Sequence, residues 1–326
     1  MKKLLAFIII SIALVSCYDD YLIDYVYDAI YFPYQHDVRT FVVGEGMKFE
    51  VGAALGGVRD NTRDRNVSFT LNNALVTPAV LTEMNYSDRR YVVNAVTPVA
   101  AVAAMPANYF TISNANTMVI KSGTYSGTVL IRADSTNFLN DSVNTRYSKY
   151  ILPFYINSAD ADSVLNKKRR NMVGVMFENM LFGKYWHGGQ ALVNRPAKSD
   201  TTIKYFTTVP AASESKVWIL TTVGPKTLSV NGYYSADVTA NPQMMLVLKG
   251  NDLILSAAAG SKFAFTQEGP CVFNRPKLLQ DRKLFLKYSF TDGGTGYTFH
   301  CTDTLTFRNR IRDGINEWYD ENPSHY

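Results

Sequence analysis

MMLVLKGNDLILSA, residues 244–257, decides the fold. Two runs of large apolar residues flank Gly250, Asn251 and Asp252, which tolerate the positive φ of a tight reversal, so the stretch predicts a β-hairpin. The surrounding segments carry the same signature of β-branched and aromatic residues: TTIKYFTTV (201–209), KVWILTTV (216–223), GYYSADV (232–238), KFAFTQ (262–267), KLFLKYSF (283–290) and GYTFHCTDTLTF (296–307). The N-terminal half repeats it in AIYFPY (29–34), TFVVG (40–44), MKFEVGAAL (47–55), residues 67–71, 109–112, 118–120 and 127–132, and YILPFYI (150–156). Short strands at this spacing, broken by Gly and Pro, predict an all-β protein that begins with a sandwich; Pro153 marks an edge or a bulge. The segment RDNTRDR (59–65) reads as a polar loop. Ile311, Ile315 and Trp318 fall at helical spacing, so a short C-terminal helix is expected, with Trp318 holding the tail onto the core; Gly314 weakens that helix.

With 326 residues, of which 47% are hydrophobic, the chain is long enough for two domains. SADADSVLNKKRR (158–170) lacks aromatics and separates two β-rich regions, which places a linker there. The resulting division is a signal over 1–17, a tether over 18–28, a sandwich over 29–157, the linker, and a C-terminal β domain over 171–326. The basic run Lys167-Lys168-Arg169-Arg170 has no aromatic interleaving, and a net charge of +5, or +3 without Lys2 and Lys3, is no nucleic-acid signature.

Lys2 and Lys3 precede an uncharged apolar run over 4–15, too short for the ~20 residues of a spanning helix. It reads as a cleaved signal. The string Leu14-Val15-Ser16-Cys17 resembles the bacterial lipobox, and Asp19 and Asp20 resemble the surface-export signal of Bacteroidetes lipoproteins. That resemblance implies lipidation of Cys17 and anchoring by lipid at the outer face of the outer membrane.

IYFPY, NYFTISNANTMVIKSGTYSGTVLIRAD and YILPFYI together resemble the Ig-like domain of unknown function that opens many Bacteroidetes surface lipoproteins. VGVMFENMLFGKYWHGG, LQDRKLFLKYSFTDGG and DTLTFRNRIRDGINEWYDENP are similar to the companion domain of such two-domain proteins. The resemblance implies a lipocalin-like β-barrel there, and Gly183-Lys184-Tyr185-Trp186 is loosely similar to the glycine-to-tryptophan opening of lipocalins, shifted by one residue; a second sandwich stays open. It also implies a setting beside SusC/SusD-type importers and capture of glycans at the cell surface. Ser135, Ser142 and Ser163 follow aspartates in a pattern similar to the O-glycosylation motif of exported Bacteroidetes proteins, with Ser163 the most accessible; Asp followed by Ser is also common in ordinary turns.

Catalytic signatures are missing from the sequence: it has four His and no GxSxG, P-loop, GxGxxG or HExxH string. No metal or cofactor is expected. Cys271 and Cys301 either pair as a disulfide or remain as two core thiols. A sugar asks for aromatic faces with amides and carboxylates nearby. The candidates are Tyr185, Trp186, His187 beside the flexible pair Gly188-Gly189, Tyr233 and Tyr234; Trp218 reads as core. The expected function is non-catalytic glycan capture. The alternative is an accessory subunit or adhesin that binds protein or peptide, and a hydrolase ranks third.

Overall fold

The computed structural model describes residues 27–205, 216–236, 238 and 243–320. Cys17, Asp19 and Asp20 lie outside the described residues, as does most of the expected tether.

The N-terminal half contains β1 (Ala29–Tyr31), β2 (His36–Val43), β3 (Lys48–Gly56), β4 (Arg65–Leu71), β5 (Ala103–Ala104), β6 (Phe110–Ile112), β7 (Thr117–Ile120), β8 (Ser126–Ala133), β9 (Tyr150–Ala159), β10 (Ser163–Val164) and β11 (Arg170–Asn179). Four short helices interrupt them: α1 (Pro78–Asn85), α2 (Arg90–Val96), α3 (Ser135–Asn140) and α4 (Ser142–Thr145). One sheet runs β10-β1-β3-β8-β6, the other β2-β11-β9-β4-β7 with β5 beside β9. Their inner faces meet in a core that includes Ile30, Phe41, Phe69, Ile131, Phe154 and Phe177. The second sheet is covered on its outer face too, where Val80, Met84, Val92 and Val96 of the two longer helices pack on Val38, Ile151 and Met172. A strand buried on both faces needs apolar residues at successive positions, which is why β9 and β11 read as continuous apolar runs.

Four details differ from the sequence reading. Residues 158–170 are part of the sandwich: β10 pairs with β1 in parallel, and β11 pairs with β2 and β9 at the centre of the second sheet. Asp28, assigned to the tether, closes a ring with Asp162, each accepting the other's backbone N–H (2.9 and 2.6 Å). Arg65 is buried, because its guanidinium meets the Asp28 carboxylate and Asn61. Pro153 sits in a central strand, at the point where the partner of β9 changes from β5 to β4 and one fewer N–H is needed.

The C-terminal half contains β12 (Gly183–Asn194), β13 (Thr201–Tyr205), β14 (Lys216–Gly224), β15 (Thr227–Asn231), β16 (Met244–Lys249), β17 (Asp252–Ala257), β18 (Phe265–Gln267), β19 (Val272–Phe273), β20 (Lys283–Thr291), β21 (Thr298–Arg312) and β22 (Ile315–Glu317). The hairpin forms as expected, Met244 opposite Ala257 and Lys249 opposite Asp252. The sheet runs β12-β14-β15-β16-β17-β19-β20-β21, and pairing of β12 with β21 closes it into an antiparallel barrel. Closure removes the second sandwich. A barrel of about eight strands is just wide enough for its own side chains, and Tyr185, Trp218, Leu246, Leu284, Phe290 and Phe299 fill it.

No helix forms over residues 311–318. Asp313 (φ 52) and Gly314 (φ 81) make a tight turn, and β22 folds back on the end of β21. Ile311, Ile315 and Trp318 are 58, 61 and 63% exposed, so Trp318 is no core anchor. Cys271 and Cys301 are unpaired. Cys271 Sγ accepts the N–H of Lys287 on one side of β20, while Cys301 pairs with Tyr288 from the other. Two interstrand spacings amount to about 10 Å, beyond the ~7 Å that a disulfide spans between Cα atoms.

Candidate functional site

The two domains are joined by charge. Glu45, in the turn between β2 and β3, receives two bonds from Arg310 of the barrel (2.8 Å each) and one from Arg282 (2.7 Å). All three residues are buried. Burial by itself would push the Glu45 carboxyl up, but the two guanidiniums hold it below its ordinary range. Gly44 (φ +94) allows this turn to seat, since a Cβ there would lie 2.7 Å from Met180 Sδ.

Beside this lock runs a cleft with the sandwich and its helices on one wall and the β21–β22 hairpin on the other. Its outer section, about 660 Å³, is lined by Tyr34, Arg39, Arg89, Arg90, Tyr91 and Asn94 from the sandwich and by Ile311, Asp313, Gly314 and Ile315 from the hairpin. An inner section of about 350 Å³ continues past Tyr91 and Asp313 to Met176, Glu178 and Phe182. A smaller pocket of about 230 Å³ carries on from Glu178 along Ile219 and Ile311 on the outside of the barrel. The walls are fixed by contacts across the junction. Thr40 donates to Asp313 at 2.7 Å, Asn179 donates to Pro225 O at 2.8 Å, and Thr222 bonds Glu178. Tyr91 packs so tightly on Gly314 that a Cβ there would approach its ring to 2.7 Å.

Behind the cleft wall Asp37, 1% exposed, is the organising group. Tyr91 donates to it at 2.5 Å, and Arg89 and Arg39 pair with it at 3.1 and 3.0 Å. The Arg89 guanidinium lies 4.0 Å over the Tyr34 ring, which leaves Tyr34 47% exposed. Burial, then the bond and charge of Asp37, push the Tyr91 hydroxyl above its ordinary value. Two carboxyl groups reach the inner section: burial raises Glu178 to about 7 and pushes Asp313 up as well. The arrangement offers aromatic surface, an amide, guanidinium donors and carboxyl groups in one rigid groove.

The residues expected from sequence are not gathered there. Tyr185, His187 and Tyr234 point into the barrel and are buried. Tyr185 donates to Leu181 O (3.1 Å), and the His187 ring lies between Trp218 and Tyr205 at centroid distances of 4.0 and 4.1 Å, with Nε2 3.1 Å from Asp303. Asp303 also takes the Tyr288 hydroxyl at 2.6 Å, and Tyr288 lies 2.9 Å from the Tyr234 hydroxyl. This cluster is a polar layer of the barrel core in which Asp303 Oδ2 takes the Tyr288 hydroxyl, while the His187 ring nitrogens, the Tyr205 hydroxyl and Asp303 Oδ1 make no hydrogen bond among the described residues. Trp186 and Tyr233 face outward, each under a cation, Arg308 and Lys216 respectively. Gly188-Gly189 is no loop but the middle of β12, where Gly189 (φ +112) lies against β21. Of the modification candidates, Ser135 and Ser142 begin α3 and α4. Asp134 caps α3 by accepting from Asn137 at 2.9 Å. Ser163 is half-buried in β10. The residues missed by sequence sit on β2 (Asp37, Arg39), just before it (Tyr34), at the start of and along α2 (Arg89, Arg90, Tyr91, Asn94), on β11 (Glu178) and in the last turn (Asp313); Thr77-Pro78, a helix-start pair, signals only the neighbouring α1.

Residues 24–163 match a family model described as a "-like, N-terminal domain". The match covers the sandwich up to β10. No curated protein matches the chain. A crystal structure of a Bacteroides ovatus protein of unknown function is similar over 90% of this chain and 98% of its own, at 16% identity and a TM-score of 0.61. A multidomain Bacteroides ovatus protein that includes DUF1735 covers 90% of this chain and 100% of its own, at 14% identity and a TM-score of 0.41. The first likeness shows that the chain shares its overall fold, sandwich and barrel together, with a Bacteroides protein.

Proposed function

We propose that this chain is a non-catalytic, lipid-anchored protein of the outer-membrane surface that captures glycans for a SusC/SusD-type importer, with the junction cleft as its binding site. The observation that carries this reading is the outer section of the cleft, where the Tyr34 and Tyr91 rings stand beside Asn94 and the arginines. Aromatic faces take the apolar C–H side of a sugar, and amides and charged groups bond its hydroxyls. The site is held open by the cross-domain bonds of Asp313 and Glu178, so little ordering is needed on binding. Those same bonds engage both carboxyl groups of the inner section with threonines, which favours capture over hydrolysis. The anchoring rests on the string ending at Cys17, and the importer on the family resemblance of the sequence.

The second reading, an accessory subunit that binds protein, is favoured by a different observation: Ile311, Ile315, Trp318 and Tyr319 expose apolar surface together at the end of the chain's last hairpin. Retention of the mature protein on polysaccharide gels separates the two. Retardation by a glycan that is lost in Tyr34→Ala, with the fold intact by circular dichroism, is the expected result. No retardation by any glycan, together with importer capture abolished by Trp318→Ala, overturns the first reading in favour of the second.

A further inference from the structure

We infer that the glycan taken by the junction cleft is acidic, carrying a carboxylate or a sulfate ester; this rests on reading the cleft as a carbohydrate site. The argument is one of unbalanced charge. Arg39, Arg89 and Arg90 all line the outer section. Arg39 and Arg89 divide a single buried carboxylate, Asp37, which is also occupied by the Tyr91 hydroxyl. One carboxylate between two guanidiniums leaves a positive charge over. The other acid of this section, Asp313, is turned to Thr40 at 2.7 Å and reaches Arg39 only at 3.9 Å. Arg90, exposed at the start of α2, has no carboxylate within ion-pair distance among the described residues. In the adjoining cavity, which Tyr34 and Arg89 line too, Glu83 is taken by His36 and Arg170 and Asp88 has no such partner among the described residues; neither acid lines the section that holds Arg39 and Arg90.

A guanidinium carries five N–H donors in one plane and meets a carboxylate or sulfate with two parallel bonds, a geometry that hydroxyls do not reproduce. With Tyr34 and Tyr91 receiving the sugar ring and Asn94 a hydroxyl, Arg90 and the uncompensated charge of the Arg39–Arg89 pair are left for an anionic substituent. A neutral sugar would use the rings and the amide and leave the cations unanswered.

The test is affinity electrophoresis of the mature protein in gels of neutral polysaccharides (galactan, mannan, xylan, laminarin), uronic-acid polymers (homogalacturonan, alginate) and sulfated polymers (chondroitin sulfate, sulfated galactan). The expected result is retention on one acidic class at least, about tenfold tighter than on any neutral polymer, as the loss of a charged hydrogen bond would predict. The preference should shrink as salt rises. Arg90→Gln should abolish most of it and Arg90→Lys retain part, while Tyr34→Ala weakens acidic and neutral ligands alike. The uronic and sulfated gels tell the two anions apart. Equal or tighter retention on a neutral polymer, or an acidic preference untouched by Arg90→Gln, overturns the inference and leaves the carbohydrate reading standing. Failure to bind any polymer overturns both.

Discussion

Raising the pH should loosen the seam between the domains, and Glu178 sets how much. Its side chain leaves β11 of the sandwich, bonds Thr222 of the barrel and is half-buried between the inner section of the cleft and the smaller pocket beyond it. Burial raises its carboxyl from 4.5 to about 7, an effect that Thr222, Arg146 and Arg310 oppose and Asp313 reinforces. The folded protein therefore holds a proton that the unfolded chain has released, and the stabilisation this gives is complete below about pH 4.5 and lost as pH rises through about 7. A displacement of this size is worth about 3 kcal/mol at alkaline pH. Glu178→Gln keeps the shape and the bond to Thr222 while removing the titration. Urea unfolding of both proteins at about pH 5 and pH 8 reads the effect as a difference, so groups shifted the other way, such as Glu45, cancel. The variant should match the wild type within about 1 kcal/mol at the lower pH and exceed it by about 3 kcal/mol at the higher. A gap that stays constant across that range would refute the assignment of Glu178 as an acid held neutral in the seam.

Three further outcomes follow from the barrel. Asp303→Ala strands His187 and Tyr288 in the core and should cost about 3 kcal/mol in denaturant unfolding, with Asp303→Asn milder because it keeps an acceptor; an unchanged midpoint would contradict the buried pair. Gly189→Ala should cost at least about 2 kcal/mol, since the residue has φ +112 and its Cβ would lie 2.1 Å from Thr302 O; a melting temperature equal to that of the wild type would show the strand free to shift. Cys271 and Cys301 should react with a thiol reagent only after unfolding, and a reductant should leave the melting temperature unchanged; a drop on reduction would reveal a disulfide.

Much of the fold was legible because β-sheets write their burial into the sequence. The hairpin over 244–257 has its turn residues and alternation in one local stretch, and the apolar runs of β9 and β11 announce strands without any partner in view. Helical spacing at Ile311, Ile315 and Trp318 was misleading because β-strand ends on an exposed hairpin carry apolar residues with no core to enforce a period, and Asp313-Gly314 sets a turn instead. The linker over 158–170 was misplaced for a related reason: polar residues there find hydrogen-bond partners far away in sequence, as the Asp162 carboxylate does in the backbone N–H of Asp28.

By itself the sequence determined that the chain is all-β and where most strands lie. It could not determine the cleft. Asp37 and Tyr91 are far apart in the chain and meet when the sandwich folds, while Glu45 and Arg310, and Thr40 and Asp313, meet only when the two domains dock. Barrel closure is of the same kind, because the pairing of β12 with β21 is a long-range choice that no local pattern records. Local patterning fixes which face of a strand is buried; docking fixes which charges meet, and the site is made of those meetings.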